Sequence, residues 1–210
     1  MDIDYWNDYY KNSDLITKPS SFAEFCLKGF MPDGARILEL GSGNGRDAVF
    51  FAKNGFEVYA IDQSNSACSN TKRWAKSNSI DHIHFIESDF TKDTFDNFPQ
   101  ISVFYSRFTM HSITLEQQNH LLRNVYSKIS KGGLFFIEAR TINDPLCGAG
   151  VDLEDYQFVT DHYRRFIDPD SFIRDCLNLG FKLKYMHEQD GLSVVNDDNP
   201  VLLRVVLSVD

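Results

Sequence analysis

Apolar residues recur along the chain in two alternating rhythms, short continuous runs and runs of helical period, which predicts strands alternating with helices. Ile37, Leu38 and Leu40 form the first short run, and Arg46 to Lys53 reads as the helix that follows it. A second strand is expected at Phe56–Ile61, a helix from Ser64 to Asn78, a third strand at His82–Glu87 and a fourth at Ile101–Tyr105. Leu115 to Ile129 has helical spacing, with Leu121, Leu122, Val125 and Ile129 on one face, and precedes a fifth strand from Leu134 to about Arg140. Near the start, Phe22, Phe25, Cys26 and Phe30 make an apolar helical stripe that ends at Pro32-Asp-Gly34, and Ser21 and Glu24 are spaced as a capping box. Near the end, Asp168 caps a helix over Pro169–Leu179 that stops at Gly180. Phe181–His187 and Val201–Val209 close the chain as strands joined through 196–200. The pattern is that of an α/β domain with helices packed on a largely parallel sheet.

The first strand runs into Gly41-Ser-Gly-Asn-Gly45. Glycines there give the turn backbone angles closed to other residues and remove Cβ atoms that would hold a ligand off the main chain. A strand, a bare turn and a helix at the carboxyl edge of a parallel sheet form a nucleotide-binding element. In the dinucleotide register, Gly-x-Gly-x-x-Gly, the third position is Arg46, so the glycine needed for close helix–strand packing is missing. Asp62 ends the second strand about 20 residues after Gly41, the spacing at which a carboxylate takes ribose hydroxyls in nucleotide sites generally.

Glu39-x-Gly-x-Gly-x-Gly resembles motif I of the class I S-adenosylmethionine (SAM)-dependent methyltransferases. Ser88-Asp89-Phe90 resembles that family's adenine-binding strand end, and Lys131-Gly132-Gly133 its turn into strand five, with Ser130-Lys131 where Lys-Pro is usual. The markers fall in family order over about 36 to 140. The resemblance implies a three-layer Rossmann-like doubly wound sheet of seven strands, order 3-2-1-4-5-7-6, with strand seven antiparallel. It implies SAM as cofactor and S-adenosylhomocysteine as product. Glu39, Gly41 and Gly43 would then lie at the methionine part, Asp62 at the ribose, and Asp89 and Phe90 at the adenine, with Arg46 and Gln63 also in the cofactor site. Trp6 and Ser106 complete the expected cofactor site. Two rivals are a nicotinamide-dependent oxidoreductase, disfavoured by Arg46 and Ser88-Asp89-Phe90, and a non-catalytic SAM-binding regulator on the same fold.

Composition narrows the partners. The 210 residues suit one domain with a single core, expected to comprise an N-terminal lid and helix over 1–31 and an acceptor-binding insertion over 141–163. A net charge of −9 argues against a nucleic-acid footprint, since such binders concentrate Lys and Arg. No apolar stretch approaches the roughly 20 residues of a spanning helix. The opening Met1-Asp-Ile-Asp-Tyr5 lacks a secretion signal, and Cys26, Cys68, Cys147 and Cys176 show neither paired nor metal-type spacing. A cytoplasmic protein without membrane or nucleic-acid partner is expected; the number of subunits is left open. No metal is expected: His82 and His84 alternate on a strand without a third ligand, and Asp152, Glu154 and Asp155 lack the pattern of a calcium loop.

The acceptor side is more open. Tyr5-Trp-Asn-Asp-Tyr-Tyr10 places four aromatics in six residues, as a lid or as an anchor of the N-terminus, and Tyr9 and Tyr10 are candidates for acceptor contact. In the family, the end of strand four faces the transferred methyl group. Here that is Tyr105-Ser-Arg107-Phe-Thr-Met-His111, which makes Arg107 and His111 the catalytic candidates. His111 is either a base usable near neutrality or a residue that caps and orients. Arg140 and Asn143 lie in a second polar cluster, and His162, Tyr163, Arg164 and Arg165 in a third. Guanidinium forks aimed at one rim suit a phosphate or carboxylate, so a small anionic acceptor methylated on oxygen is expected. Ser-Arg-Phe-x-x-His, Arg-Thr-Ile-Asn-Asp-Pro-Leu-x-Gly and Asp-His-Tyr-Arg-Arg also resemble segments of small-molecule methyltransferases from bacterial surface-polysaccharide, phosphonate and phosphoramidate pathways.

Overall fold

Both faces of the central strands are apolar because both are covered by helices. In the computed structural model, which describes residues 3–11, 18–194 and 198–210, β1 (Arg36–Leu40) lies between β2 (Glu57–Asp62) and β4 (Ile101–Arg107). With β3 (Ile83–Glu87), β5 (Ile129–Arg140), β9 (Lys182–Gln189) and β10 (Leu202–Ser208), they form one sheet of order β3-β2-β1-β4-β5-β10-β9. The first five strands in that order are parallel, and β10 runs antiparallel to both β5 and β9. This is the expected seven-stranded topology.

Alternation along each strand sorts the core into two clusters. Leu38, Phe104, Phe135 and Ile137 pack under α5 (Leu115–Lys128) and α6 (Pro169–Leu179). Their strand neighbours Ile37, Val103, Tyr105 and Phe136 face α2 (Ser21–Gly29) and α3 (Arg46–Lys53). Each fully buried phenylalanine contributes on the order of 1.5–3 kcal/mol. Glu39 shares the α3 face with Ile37, which carries a carboxylate into a buried layer. The remaining helices are α1 (Ile3–Lys11) and α4 (Asn65–Ser77), capped by Ser64, and no helix among the described residues is long and apolar enough to cross a membrane.

Several local expectations shift. Helix α2 is capped by Ser20, whose hydroxyl accepts the Ala23 N–H at 3.0 Å, so Ser21 is the first helical residue and there is no capping box with Glu24. Ser20 is drawn into this place by Asp47 of α3, which takes its N–H and its hydroxyl at 2.7 Å each. The capping box appears instead at Thr114 and Gln117 of α5. Strand β5 begins at Ile129, so the Gly132-Gly133 step interrupts the strand rather than preceding it; Gly132 has φ +74° and the pairing with β4 shifts there. Within the expected insertion over 141–163, whose part from Thr141 to Asp161 reads as irregular in sequence, a small antiparallel sheet begins, made of β6 (Val151–Asp152), β7 (Gln157–Val159) and β8 (Tyr163–Arg165). His82 has φ +62° and precedes β3, so it does not share a strand face with His84. Residues 1–2 and 12–17 of the expected lid, and 196–197 of the last connection, lie outside the described residues.

Candidate active site

The glycine turn after β1 keeps left-handed backbone at Gly41, Gly43 and Gly45, with φ of +69°, +53° and +68°. Each missing Cβ has a neighbour in its place. Gly41 is crowded by the Thr109 methyl, Gly43 by the Tyr10 hydroxyl, and Gly45 by Thr71 and Phe85. Gly45 thus does the close helix–strand packing that the dinucleotide register assigns to position 46. The turn is held from β2: Asp62 accepts the Gly43 N–H at 2.7 Å through one oxygen and the Ser64 N–H at 2.8 Å through the other. Burial raises the Asp62 pKa, and the amides of Ser64, Gly43 and Gln63 oppose that rise. A carboxylate has about four acceptor sites, so after these three amides one remains for a ribose hydroxyl.

A cavity of about 410 Å³ opens beside this turn, at the carboxyl ends of β1, β2, β4 and β5. Glu39, Gly41, Arg46, Asp62, Gln63 and Phe90 line one part of it, as the sequence predicts for a cofactor site. Helix α1 roofs it with Trp6, Tyr9 and Tyr10, stacked or edge-on to one another. Asn7 secures that helix by accepting the Ser64 hydroxyl at 2.8 Å. Tyr5 reaches across to Asp161, donating at 3.0 Å, and its ring lies 4.6 Å from that of His162.

Arg107, His111, Arg140, His162 and Arg164 line the other part. Phe108 takes the left-handed conformation, φ +59°, at the end of β4, a strained choice for an aromatic residue that turns Thr109 back against Gly41. Three of the arginines are already paired with acids. Arg107 donates to Glu138 at 3.0 Å and to Ser193 at 2.8 Å, with its guanidinium 4.2 Å from the Phe108 ring. Arg140 bridges Asp144 and Asp198, and Arg164 holds Asp161 at 2.8 Å. His111 is buried, and its Nδ1 accepts the Arg140 N–H at 3.3 Å. Burial first, then Arg140, Arg164, His162 and Arg165, push its pKa well below the usual imidazole value.

Six expected site residues are not on the wall of this cavity, the first being Gly43, which Tyr10 covers. The Ser106 side chain is fully buried and bonds Thr109, which takes its place on the cavity wall. Asp89 lies in an adjacent cavity with Ser88 and Gln63, where it binds Thr91 and Lys92. Asn143 donates to Glu188 of β9 at 3.0 Å, and the Tyr163 hydroxyl donates to Gln157 at 2.8 Å. Arg165 is a structural clamp, donating to the carbonyls of Ile113 and Met110 and to Gln118. Conversely, Tyr5, Asp47, Thr109, Asp161 and Asp198 line the cavity without having been singled out as site residues. Tyr5 and Asp161 lie in segments the sequence does single out, the aromatic run and Asp-His-Tyr-Arg-Arg, while Asp47 and Thr109 signal only as polar residues next to Arg46 and within the strand-four segment. Among the described residues, no three His, Cys, Asp or Glu side chains are grouped as a metal site.

Strand order, crossing helices and a glycine turn facing a strand-four end make this the fold of the class I SAM-dependent methyltransferases. Residues 37–133 match the family described as the methyltransferase domain. A protein of Geobacillus sp. (strain WCH70) named as a methyltransferase is 25% identical over 139 residues, 65% of this chain and 56% of that one. Carboxy-S-adenosyl-L-methionine synthase of Nautilia profundicola is 24% identical over 120 residues, covering 56% of this chain and 50% of that protein. The chain thus spans about half the length of the curated relatives it matches. Among solved structures, the glycopeptide N-methyltransferase MtfA complexed with SAM superposes with a TM-score of 0.71 at 17% identity, over 94% of this chain and 96% of that one.

Proposed function

We propose that this protein is a SAM-dependent methyltransferase acting on an oxygen of a small, anionic molecule. The observation that carries the reading is a single cavity lined both by the Glu39, Gly41 and Asp62 set and by Arg107 and His111 at the strand-four end. Buried polar atoms there without a hydrogen-bond partner among the described residues include Glu39 Oε2, Ser42 Oγ, Gln63 Nε2 and Arg46 Nε, the last in a loose ion pair with Asp47 at 3.7 Å. An unpartnered buried polar group is costly, and these fit the ends of a zwitterionic nucleoside. Glu39 would take the ammonium, Arg46 the carboxylate, Asp62 a ribose hydroxyl, and Gln63 the ribose or adenine.

When bound, SAM supplies an electrophilic methyl group on a sulfonium. The chain's own task is then to align the acceptor and exclude water. Trp6, Tyr9 and Tyr10 supply the roof for this, and His162 and Arg164 the far wall. The arginines support an anionic acceptor through N–H groups left over from their ion pairs, since a guanidinium has five donors. Arg164, which lines the cavity, would serve here rather than Arg165. A place in surface-polysaccharide, phosphonate or phosphoramidate chemistry would agree with such an acceptor.

Calorimetric titration with SAM and with S-adenosylhomocysteine tests the reading. Binding by the wild type and at least tenfold weaker binding by Asp62→Ala are expected; no binding by either would end it.

A further inference from the structure

His111 closes the segment that the family resemblance sets facing the methyl group, where base and orienter were both open, and its hydrogen bonding decides between them. Its Nδ1 accepts a backbone N–H from Arg140 at 3.3 Å, so in the neutral ring the proton resides on Nε2. The ring lines the cavity, and no described group pairs with that Nε2–H. A nitrogen that already carries its proton cannot accept another from an acceptor hydroxyl. The other nitrogen is taken by the main chain of β5.

We propose that His111 is a fixed hydrogen-bond donor rather than a base, and that the acceptor is a carboxylate, methylated to its ester. The inference rests on the methyltransferase reading and names its substrate class. A carboxylate is ionised at neutral pH without help from the enzyme. Its oxygen lone pair forms the new carbon–oxygen bond while the carbon–sulfur pair leaves with the neutral thioether. No proton is released, so none has to be removed. An alcohol would need a base, and an amine would have its lone pair blocked by a facing N–H.

The surroundings of His111 agree. Arg140 from β5, and Arg164 and Arg165 with His162 from the β8 segment, oppose protonation of the ring, while Asp161 and Asp198 on the same wall balance Arg164 and Arg140. Arg107, Arg140 and Arg164 already hold acids, so they offer spare donors rather than a pair of uncompensated charges. That suits a monoanion better than a doubly charged phosphate.

Long-range proton–nitrogen correlation on histidine-¹⁵N-labelled full-length protein tests the tautomer directly, with His111 assigned from its absence in His111→Gln. The Nε2–H form is expected, unchanged between pH 5.5 and 8. An Nδ1–H form, or titration near pH 6.5, would overturn the donor role. Adding acetate, methylammonium or methanol to the complex with S-adenosylhomocysteine tests the substrate class. Acetate alone should move the Nε2–H resonance; no movement with acetate, or an equal movement with methylammonium or methanol, would overturn the carboxylate assignment. Binding of S-adenosylhomocysteine is read separately by calorimetry. Its failure would remove the methyltransferase reading while leaving the tautomer measurement to stand or fall alone.

Discussion

The carboxylate of Asp62, at the end of β2, accepts the N–H of Gly43 at 2.7 Å and so joins two strands' ends into one binding edge. The same group that would hold a ribose also fixes the glycine turn. Asp62→Ala should therefore lower affinity for S-adenosylhomocysteine by at least tenfold and also destabilise the empty protein. Hydrogen bonds to a charged group are worth about 1.5–3 kcal/mol, so a loss of about that size in denaturant titration is expected. A variant with unchanged stability would show that the turn does not depend on Asp62.

Glu39 presents the opposite balance. It is buried with one oxygen unpartnered, and burial first, then Asp47 and Asp62, raise its pKa well above the usual carboxylate value. A raised carboxylate favours the folded state below its unfolded pKa and loses that contribution as pH rises through the folded value. Glu39→Gln should stabilise the cofactor-free protein at neutral pH by about 1 kcal/mol, and weaken SAM binding at least tenfold. Melting curves and calorimetry on one preparation check both signs.

His111 sets a pH dependence of the other sign. Its pKa is depressed in the fold by burial and the neighbouring arginines, against about 6.5 when unfolded. Its contribution is complete above pH 6.5 and is lost as pH falls toward the folded value, by up to about 1.4 kcal/mol per unit. From pH 7.5 to 5.5 the wild type should lose about 1 kcal/mol more stability than His111→Gln.

Glu138 is fully buried between Arg107, at 3.0 Å, and Arg204, at 2.7 Å. Removing one member of a buried ion-pair set strands the others, at a cost of about 3–5 kcal/mol. Glu138→Ala should approach that loss in urea denaturation, and far exceed the effect of Glu57→Ala at the exposed Arg36 pair.

Arg164 and Arg165 should separate cleanly. Arg165→Ala removes three hydrogen bonds that clamp Met110, Ile113 and Gln118, and should destabilise by about 2–4 kcal/mol. Arg164→Ala should leave stability within about 1 kcal/mol and instead loosen the Asp161 clasp to Tyr5, which faster release of S-adenosylhomocysteine would report.

Strand and helix order, the glycine turn and the acids near the ends of β1 and β2 were legible in the sequence because they follow from local rules. A strand buried on both faces must be apolar throughout, a left-handed turn needs glycine, and a helix end needs a cap. The one-residue slip at Ser20 shows where such rules stop. Ser20 and Ser21 are equivalent caps by type, and only Asp47, 27 positions away in the chain, selects between them. Arginine destinations were likewise decided by packing. Arg164 and Arg165 are adjacent and identical in kind, but alternate positions on β8 point one to the cavity and the other into the core. Whether Arg107 and Arg140 carry free or balanced charge depended on Glu138, Asp144 and Asp198, and the proton position on His111 on a backbone amide of β5. Residue types and their periodicity determined which chemistry the chain could bring to one edge. Long-range pairing, which sequence spacing does not encode, decided which of those groups keep a donor or a charge to use there.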